Sequence, residues 1–318
     1  MSEPRTPNLP GPDEWPTWTL IERERLEVAR EERPFLEAAA GLVTEFGELA
    51  ALLVRAWSPP PAGARASARD EAILCALAVR IVKLTRRLAA ETYEGRAELQ
   101  LLLDREIFVS TSAMAYLLRG GGERFEAFVS DSLRADRGVW GHLDGNRELR
   151  DGEVLPMEQR MRERLARSFE LAGVDPEEAV GEAESGWPSL DEQLAAIGEP
   201  AAHRMHQLGA DSIHGLWNEL HTHHLRAEGR EGAGDLGPRL EWTAAQVQPL
   251  TAVAIQASRV MAAWSRRIGH EAAEAFRDKF LDLAGRAALV DRFHEEYLAR
   301  SERSGLDDLA GGVEGASG

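Results

Sequence analysis

Apolar side chains recur every three or four residues through most of this chain, and this spacing restricts the chain to helices. The segment 71–88 is a clear case, because its apolar residues follow one another at steps of four, four, three and four: Ile73, Leu77, Ile81, Leu84 and Leu88. Such steps place the side chains on one face of an α-helix. No segment shows the strict alternation of a half-buried strand, so the sequence predicts an all-α protein.

The same spacing predicts further helices along the chain. They are expected at 18–32, 34–57, 97–119, 122–136, 156–172, 189–197, 200–225, 243–267 and 271–301. Three successive prolines at 59–61 interrupt this pattern, Pro156 is placed to open a helix, and Gly173 is placed to end it. Long internal loops are predicted at 141–155 and 227–239.

These boundaries predict a bundle of long helices with a second helical layer. The N-terminal bundle is expected at 18–140, and a C-terminal helical region at 156–301 is expected to pack on it. Residues 1–17 are rich in proline, and residues 302–318 are acidic and rich in glycine. Both ends are predicted to be disordered.

Composition and charge limit the function classes. The chain of 318 residues has a formal net charge of −17, which argues against a nucleic-acid partner. Charged residues interrupt every apolar run before it reaches membrane-spanning length, and no secretory signal is evident, so we expect no membrane segment and a cytoplasmic location. The lone cysteine, Cys75, is expected to pack as a small apolar side chain.

The segment 203–226 holds six of the nine histidines of the chain. Two pairs have the three-residue spacing that places ligands on one helical face, His203 with His206 and His221 with His224. On one continuous helix the pairs would stand about 27 Å apart, too far to share an ion. These four histidines are therefore only weak metal candidates, and we predict no metal and no other cofactor.

A helical wheel centred on Ile213 gives these histidines other roles. It places His206 and His224 on the apolar face, and it places His203, His214 and His221 on the flank. Flanking histidines pack and donate to nearby acceptors, or they line a polar pocket. For the pocket interpretation, the candidate residues are Glu106, His214, Trp217, Asn218 and His221.

Arg137 and His142 have the spacing of the catalytic pair of the HEPN ribonucleases, an all-helical class. About three such pairs are expected by chance in a chain with this many arginines and histidines. Gly138 and Gly141 are also expected to interrupt a helix where those enzymes keep one. The match is therefore a weak indication.

Two acids interrupt the apolar helix predicted at 97–119. Asp104 is expected to face solvent, whereas Glu106, next to Leu103 and Ile107, is expected to point inward. A buried acid needs a partner, so Glu106 is predicted to form an ion pair or to serve as a catalytic acid.

Several of these segments together resemble a bacterial family, domain of unknown function 5677. The matching positions, spread over about 35–265, are Arg105, Glu106, Tyr116, Ser132, Leu133, His214, Gly215, Trp217, Leu220, His224 and Leu225. The resemblance implies an all-helical cytosolic protein with no established activity.

Together these features predict a binding or interaction module without chemistry of its own. It would recruit a protein partner through an apolar groove between helices, or hold a small ligand; a homo-oligomer is compatible with the sequence. The alternative is a helical hydrolase, either a HEPN-like ribonuclease or a metal-assisted enzyme that uses the histidines of 203–224.

Overall fold

The structure, a computed structural model, describes residues 15–57, 65–175, 186–199, 217, 220–228, 235–268 and 272–314. It confirms the all-α prediction. The helices are α1 (Arg23–Glu27), α2 (Arg33–Ala56), α3 (Arg65–Tyr93), α4 (Ala97–Leu118), α5 (Gly122–Ser132), α6 (Arg134–Leu149), α7 (Pro156–Ala172), α8 (Leu190–Ala196), α9 (Val247–Ser265) and α10 (Ala272–Glu314). No helix within these ranges is long and apolar enough to span a membrane.

Local sequence signals explain several helix ends. Proline occupies the first turn of α2 and of α7, where its missing N–H costs nothing. Gly173 follows α7 with a positive φ of 73°, a conformation in which glycine closes a helix without steric strain. At α8, the Ser189 hydroxyl accepts from the Glu192 amide and the Glu192 carboxylate accepts in return, which is a capping box.

Several helices differ from their predicted lengths. The helix expected at 18–32 is limited to Arg23–Glu27, because the backbone of Thr19 is bound elsewhere, as described below. The predicted loop at 141–155 is helical as far as Leu149. There Trp140 and Leu143 are buried, and the Trp140 ring meets the Phe169 ring edge-on at 5.9 Å. This burial outweighs the helix penalty of the glycines in α6, about 1 kcal/mol each.

The C-terminal part also departs from the expected elements. A two-stranded antiparallel hairpin, β1 (Leu225–Glu228) and β2 (Asp235–Pro238), occupies the predicted loop at 227–239. A π-helical turn at Leu220–His224 leads into β1. The last helix continues to Glu314, beyond its predicted end at 301, through a segment without proline. The helix thus extends into the segment 302–318, whose predicted disorder stays a prediction.

One large core unites helices from both halves of the chain. It is built by α2, α3, α4, α9 and α10. The central helix is α9, which packs against α2, α4 and α10. Small side chains on α9, such as Ala254 and Ala257, are fully buried and let the neighbouring helices approach closely.

The helices α5, α6 and α7 form a smaller cluster at the side of this core. Its buried residues are Val129, Leu133, Trp140, Leu143, Leu165 and Phe169. The cluster is tied to α3 by Arg69, which donates to the carbonyl of Ala172 at 3.0 Å. The loop between α6 and α7 lies where the sequence predicted the boundary between its two helical regions.

A buried ion pair connects α2, α10 and the N-terminal segment. The guanidinium of Arg286 donates to both carboxylate oxygens of Glu45 and to the Thr19 carbonyl, the latter at 2.9 Å. Glu45 also accepts from the Thr19 amide at 2.8 Å. Because both charges are largely shielded from water, this contact fixes the segment against the bundle. Trp15 reinforces it by packing on Phe276 at 4.9 Å.

Replacing Arg286 with methionine should lower the free energy of unfolding by about 3–5 kcal/mol, because Glu45 would stay buried without its counter-charge. Urea denaturation measures the change. The matched control is Arg33→Met, which removes an exposed pair with Glu37 and should cost less than about 1 kcal/mol. Equal losses in the two variants would contradict the role given to the buried pair.

Candidate functional site

A groove of about 840 Å³ runs along the outward face of α9. On one side it is flanked by α4 and by the end of α8, and on the other by α10. Its apolar wall consists of Phe108, Ala115, Leu118, Ile197, Ala252, Ile255, Val260 and Ala263. The volume and apolar lining are those of a small-molecule site.

Polar contacts fix the direction in which the flanking helices run. Gln100 is hydrogen-bonded to the backbone of Gln246, and further along α4 Ser112 accepts from Gln256 at 3.3 Å. Residue numbers therefore increase in the same direction along α4 and α9, so the two helices are parallel. On the other flank, Gln248 contacts Glu295 and Thr251 contacts Asp291, so α10 runs in the opposite direction to α9.

This alignment gives the groove two ends of opposite charge. Asp104, Gln248, Asp291 and Glu295 line the end near the start of α9. Arg119, Arg259, Arg266 and Arg267 line the other end. We call these the acidic end and the arginine end. Along α4, Asp104 and Arg119 stand about 22 Å apart.

The side chain of Asp104 is the buried group of the acidic end. The residue is only 8% exposed, and its carboxyl makes no hydrogen bond or ion pair within the described ranges. Burial raises the pKa of Asp104 to about 7, because a charged carboxylate loses hydration there without gaining a partner. An ionisable group with a perturbed pKa in a cleft is a candidate functional residue.

The arginine end is more open to water. Arg267 pairs with Glu71 at 2.8 Å, and Arg259 lies 3.9 Å from Glu199. Arg119 and Arg266 form no ion pair with any residue that the structure describes. Two guanidinium groups are thus left to bind an anion at this end of the groove.

The orientations expected for the two acids of α4 were wrong, although the predicted ion pair of Glu106 is present. Glu106, predicted to point inward, has a side chain that is 42% exposed and paired with Arg80. Asp104, predicted to face solvent, is buried. The two positions differ by about 200° around the helix, so they cannot share a face. The signal was the i, i+4, i+11 spacing of Asp104, Phe108 and Ala115, which places Asp104 on the groove stripe.

The histidine segment lies only partly within the described residues. His203, His206, His214 and Asn218 fall outside them. Trp217 is 63% exposed, and its ring meets that of His221 at 5.6 Å. Neither of these two residues lines the groove, and Glu106 does not line it either. The three predicted pocket residues that the structure describes therefore lie outside this site.

In the described part of this segment, the buried histidine is one that the candidate sets omitted. His223 is buried, and its Nδ1 lies 2.8 Å from the Thr243 hydroxyl. The Thr243 amide donates to buried Glu98 at 3.1 Å. His224, predicted on the apolar face, is exposed instead. The helical wheel fails here because the turn is π-helical and ends in a strand.

The metal candidates gain no further ligands in the described structure. His221 and His224 both belong to the π-helical turn at Leu220–His224. Across the ranges given above, no three histidine, cysteine or acidic side chains form a group able to hold a metal ion. The other candidate pair, His203 and His206, lies outside these ranges.

Arg137 and His142, which have the spacing of the ribonuclease pair, point in different directions. Both lie on α6, five positions apart, which separates them by about 140° around the helix axis. Arg137 donates to the Ser130 hydroxyl at 3.4 Å, and His142 Nδ1 lies 2.6 Å from the carbonyl of Gly138. The two side chains therefore have separate partners.

Asp104→Asn should remove a pH-dependent stability cost. An unfolded aspartate loses its proton near pH 4, whereas Asp104 in the folded chain keeps it up to about pH 7. Because the folded state then binds the extra proton, the free energy of unfolding falls as pH rises through this window.

The stability of the Asn variant relative to the parent should therefore grow between pH 4 and pH 8, by up to about 4 kcal/mol. Urea denaturation at both pH values measures it. Glu106→Gln, which changes a half-exposed acid of the same helix, is the control and should show no such gain. A gain for Asn that is the same at both pH values would disprove the assignment.

Comparison of the chain with models of protein families, with curated proteins and with solved structures found no match.

Proposed function

We propose that this protein is a binding protein that holds a small amphipathic molecule in the groove along α9 and has no chemistry of its own. The observation that carries the proposal is the carboxyl of Asp104, buried and unpartnered within the described ranges, on the wall of an apolar groove. A buried ionisable group without a partner costs free energy. A ligand that pairs with it removes that cost.

The size of the groove fits a small molecule. Its volume of about 840 Å³ lies within the usual range of small-ligand sites. Of the two kinds of partner that the sequence predicted, we therefore propose the small ligand.

The site differs from the pocket predicted around Glu106, His214, Trp217, Asn218 and His221. No observation within the described ranges favours the helical hydrolase, whether ribonuclease or metal-assisted enzyme, and that alternative stays a prediction. The cytoplasmic location, a homo-oligomer and the resemblance to family 5677 also stay predictions.

A fluorescent apolar anion, anilinonaphthalene sulfonate, tests the proposal. It should bind the folded protein in the groove, with its rings on the apolar wall and its sulfonate at the arginine end. Ala263→Trp should weaken binding about tenfold or more, because an indole would fill space that the exposed Ala263 methyl leaves open. Fluorescence titration gives the dissociation constants.

The control variant is Ala135→Trp, which places the same side chain on an exposed position of α6, away from the groove. It should leave the dissociation constant unchanged. Dye binding that is equally strong in both tryptophan variants, or absent from the parent protein, would refute the groove as the site.

A further inference from the structure

At each end of the groove, charged side chains lack a counter-charge within the described ranges. At the acidic end, Asp291 accepts from the Thr251 hydroxyl at 2.8 Å and Glu295 accepts from the Gln248 amide at 3.4 Å. Both donors are neutral, so neither acid is balanced by them. Asp104 has no partner among the described residues, and no arginine or lysine lines this end. The missing partner at this end is a cation.

The arginine end carries more guanidinium groups than acids paired with them. Glu199 is the one acid near it among the described lining residues, and it lies 3.9 Å from Arg259, beyond hydrogen-bonding distance. Arg119 and Arg266 are without a described acidic partner. A carboxylate or a phosphate would match the fork geometry of these guanidinium groups.

The middle of the groove separates the two charges by apolar surface. Phe108 and Ala115 of α4 and Ala252 and Ile255 of α9 line it. The Cα atoms of Asp104 and Arg119 are about 22 Å apart along the helix, and their side chains shorten the span that a ligand must cover. A ligand that meets both ends is therefore long and narrow, with an apolar body.

We infer that the groove binds an elongated amphiphile with a cationic nitrogen at one end and an anionic group at the other, oriented with the nitrogen at Asp104. This inference rests on the proposed function and adds the charge pattern and the orientation of the ligand. The buried carboxylate recognises the amine, and the exposed arginines guide the anionic end.

Three unbranched probes separate these contributions: ω-aminododecanoic acid, dodecylamine and dodecanoic acid. They share one apolar chain length and differ only in their end groups. Isothermal titration calorimetry near pH 8, above the pKa of about 7 for Asp104, measures binding to the parent protein and to Asp104→Asn, Arg119→Gln and Ala263→Trp. Each probe is kept below its micelle-forming concentration.

We expect each substitution to weaken the binding of a different set of probes. The ω-amino acid should bind most tightly, and Asp104→Asn should weaken both amine-bearing probes about tenfold or more while sparing dodecanoic acid. Arg119→Gln should weaken the two carboxylate-bearing probes about threefold, because its contact is exposed. Ala263→Trp should weaken all three.

Two other results separate the inference from the proposed function. If the probes bind and Ala263→Trp blocks them, but Asp104→Asn does not discriminate against amines, the charge pattern is overturned and the groove remains a ligand site. If no probe binds, or if Ala263→Trp leaves the dissociation constants unchanged, both proposals are overturned. Binding of an amphipathic helical peptide in place of the probes would likewise overturn both.

Discussion

The groove depends on one side chain, that of Gln100, which joins α4 to the start of α9. Its amide donates to the Gln246 carbonyl at 2.8 Å and accepts from the Gln246 N–H at 2.9 Å. Gln100 is fully buried, so both halves of its amide need partners, and the backbone just before α9 supplies both. This two-point contact leaves no freedom to slide one helix past the other. It sets the register of the two helices, which places Asp104 at the height of Gln248 and Arg119 at the height of Ala263.

A second buried side chain in the first turn of α4, that of Glu98, also binds the backbone just before α9. Glu98 accepts from the Thr243 amide, and the Thr243 hydroxyl meets His223. The segment before α9 is thus bound at two residues, Thr243 and Gln246, by two side chains of one helix. The π-helical turn with its histidines is anchored through His223, and this anchoring leaves His221 and His224 exposed. In the described part of the segment, histidine therefore serves packing and attachment.

The fold class was predictable because helical spacing is a local property that repeats along each segment. The orientations of Asp104 and Glu106 were missed because both lie close to leucines, and a count of apolar neighbours along the chain does not show which face of α4 meets α9; the periodic spacing of Asp104 with Phe108 and Ala115 carries that information. The helical run through Gly138 and Gly141 depends on the burial of Trp140 against Phe169, a contact between separate helices. The hairpin after His224 pairs residues about ten positions apart, and neither strand alternates clearly enough to be recognised alone. The misses at Asp104 and in α6 concern contacts between separate helices, whereas the successes rest on short-range spacing.

Asp104 also shows why a binding site and a stable core make opposite demands on the same helix. An apolar side chain at this position would extend the stripe of Phe108, Ala115 and Leu118 and would avoid the desolvation of a carboxylate. The acid instead raises the free energy of the unoccupied protein above pH 7, where both folded and unfolded states are ionised. A bound cation would lower the pKa of Asp104 toward its ordinary value, since it stabilises the charged form. By linkage, the free energy released by that shift would add to affinity, so the buried carboxyl would make the proposed site selective for a ligand that brings its own positive charge.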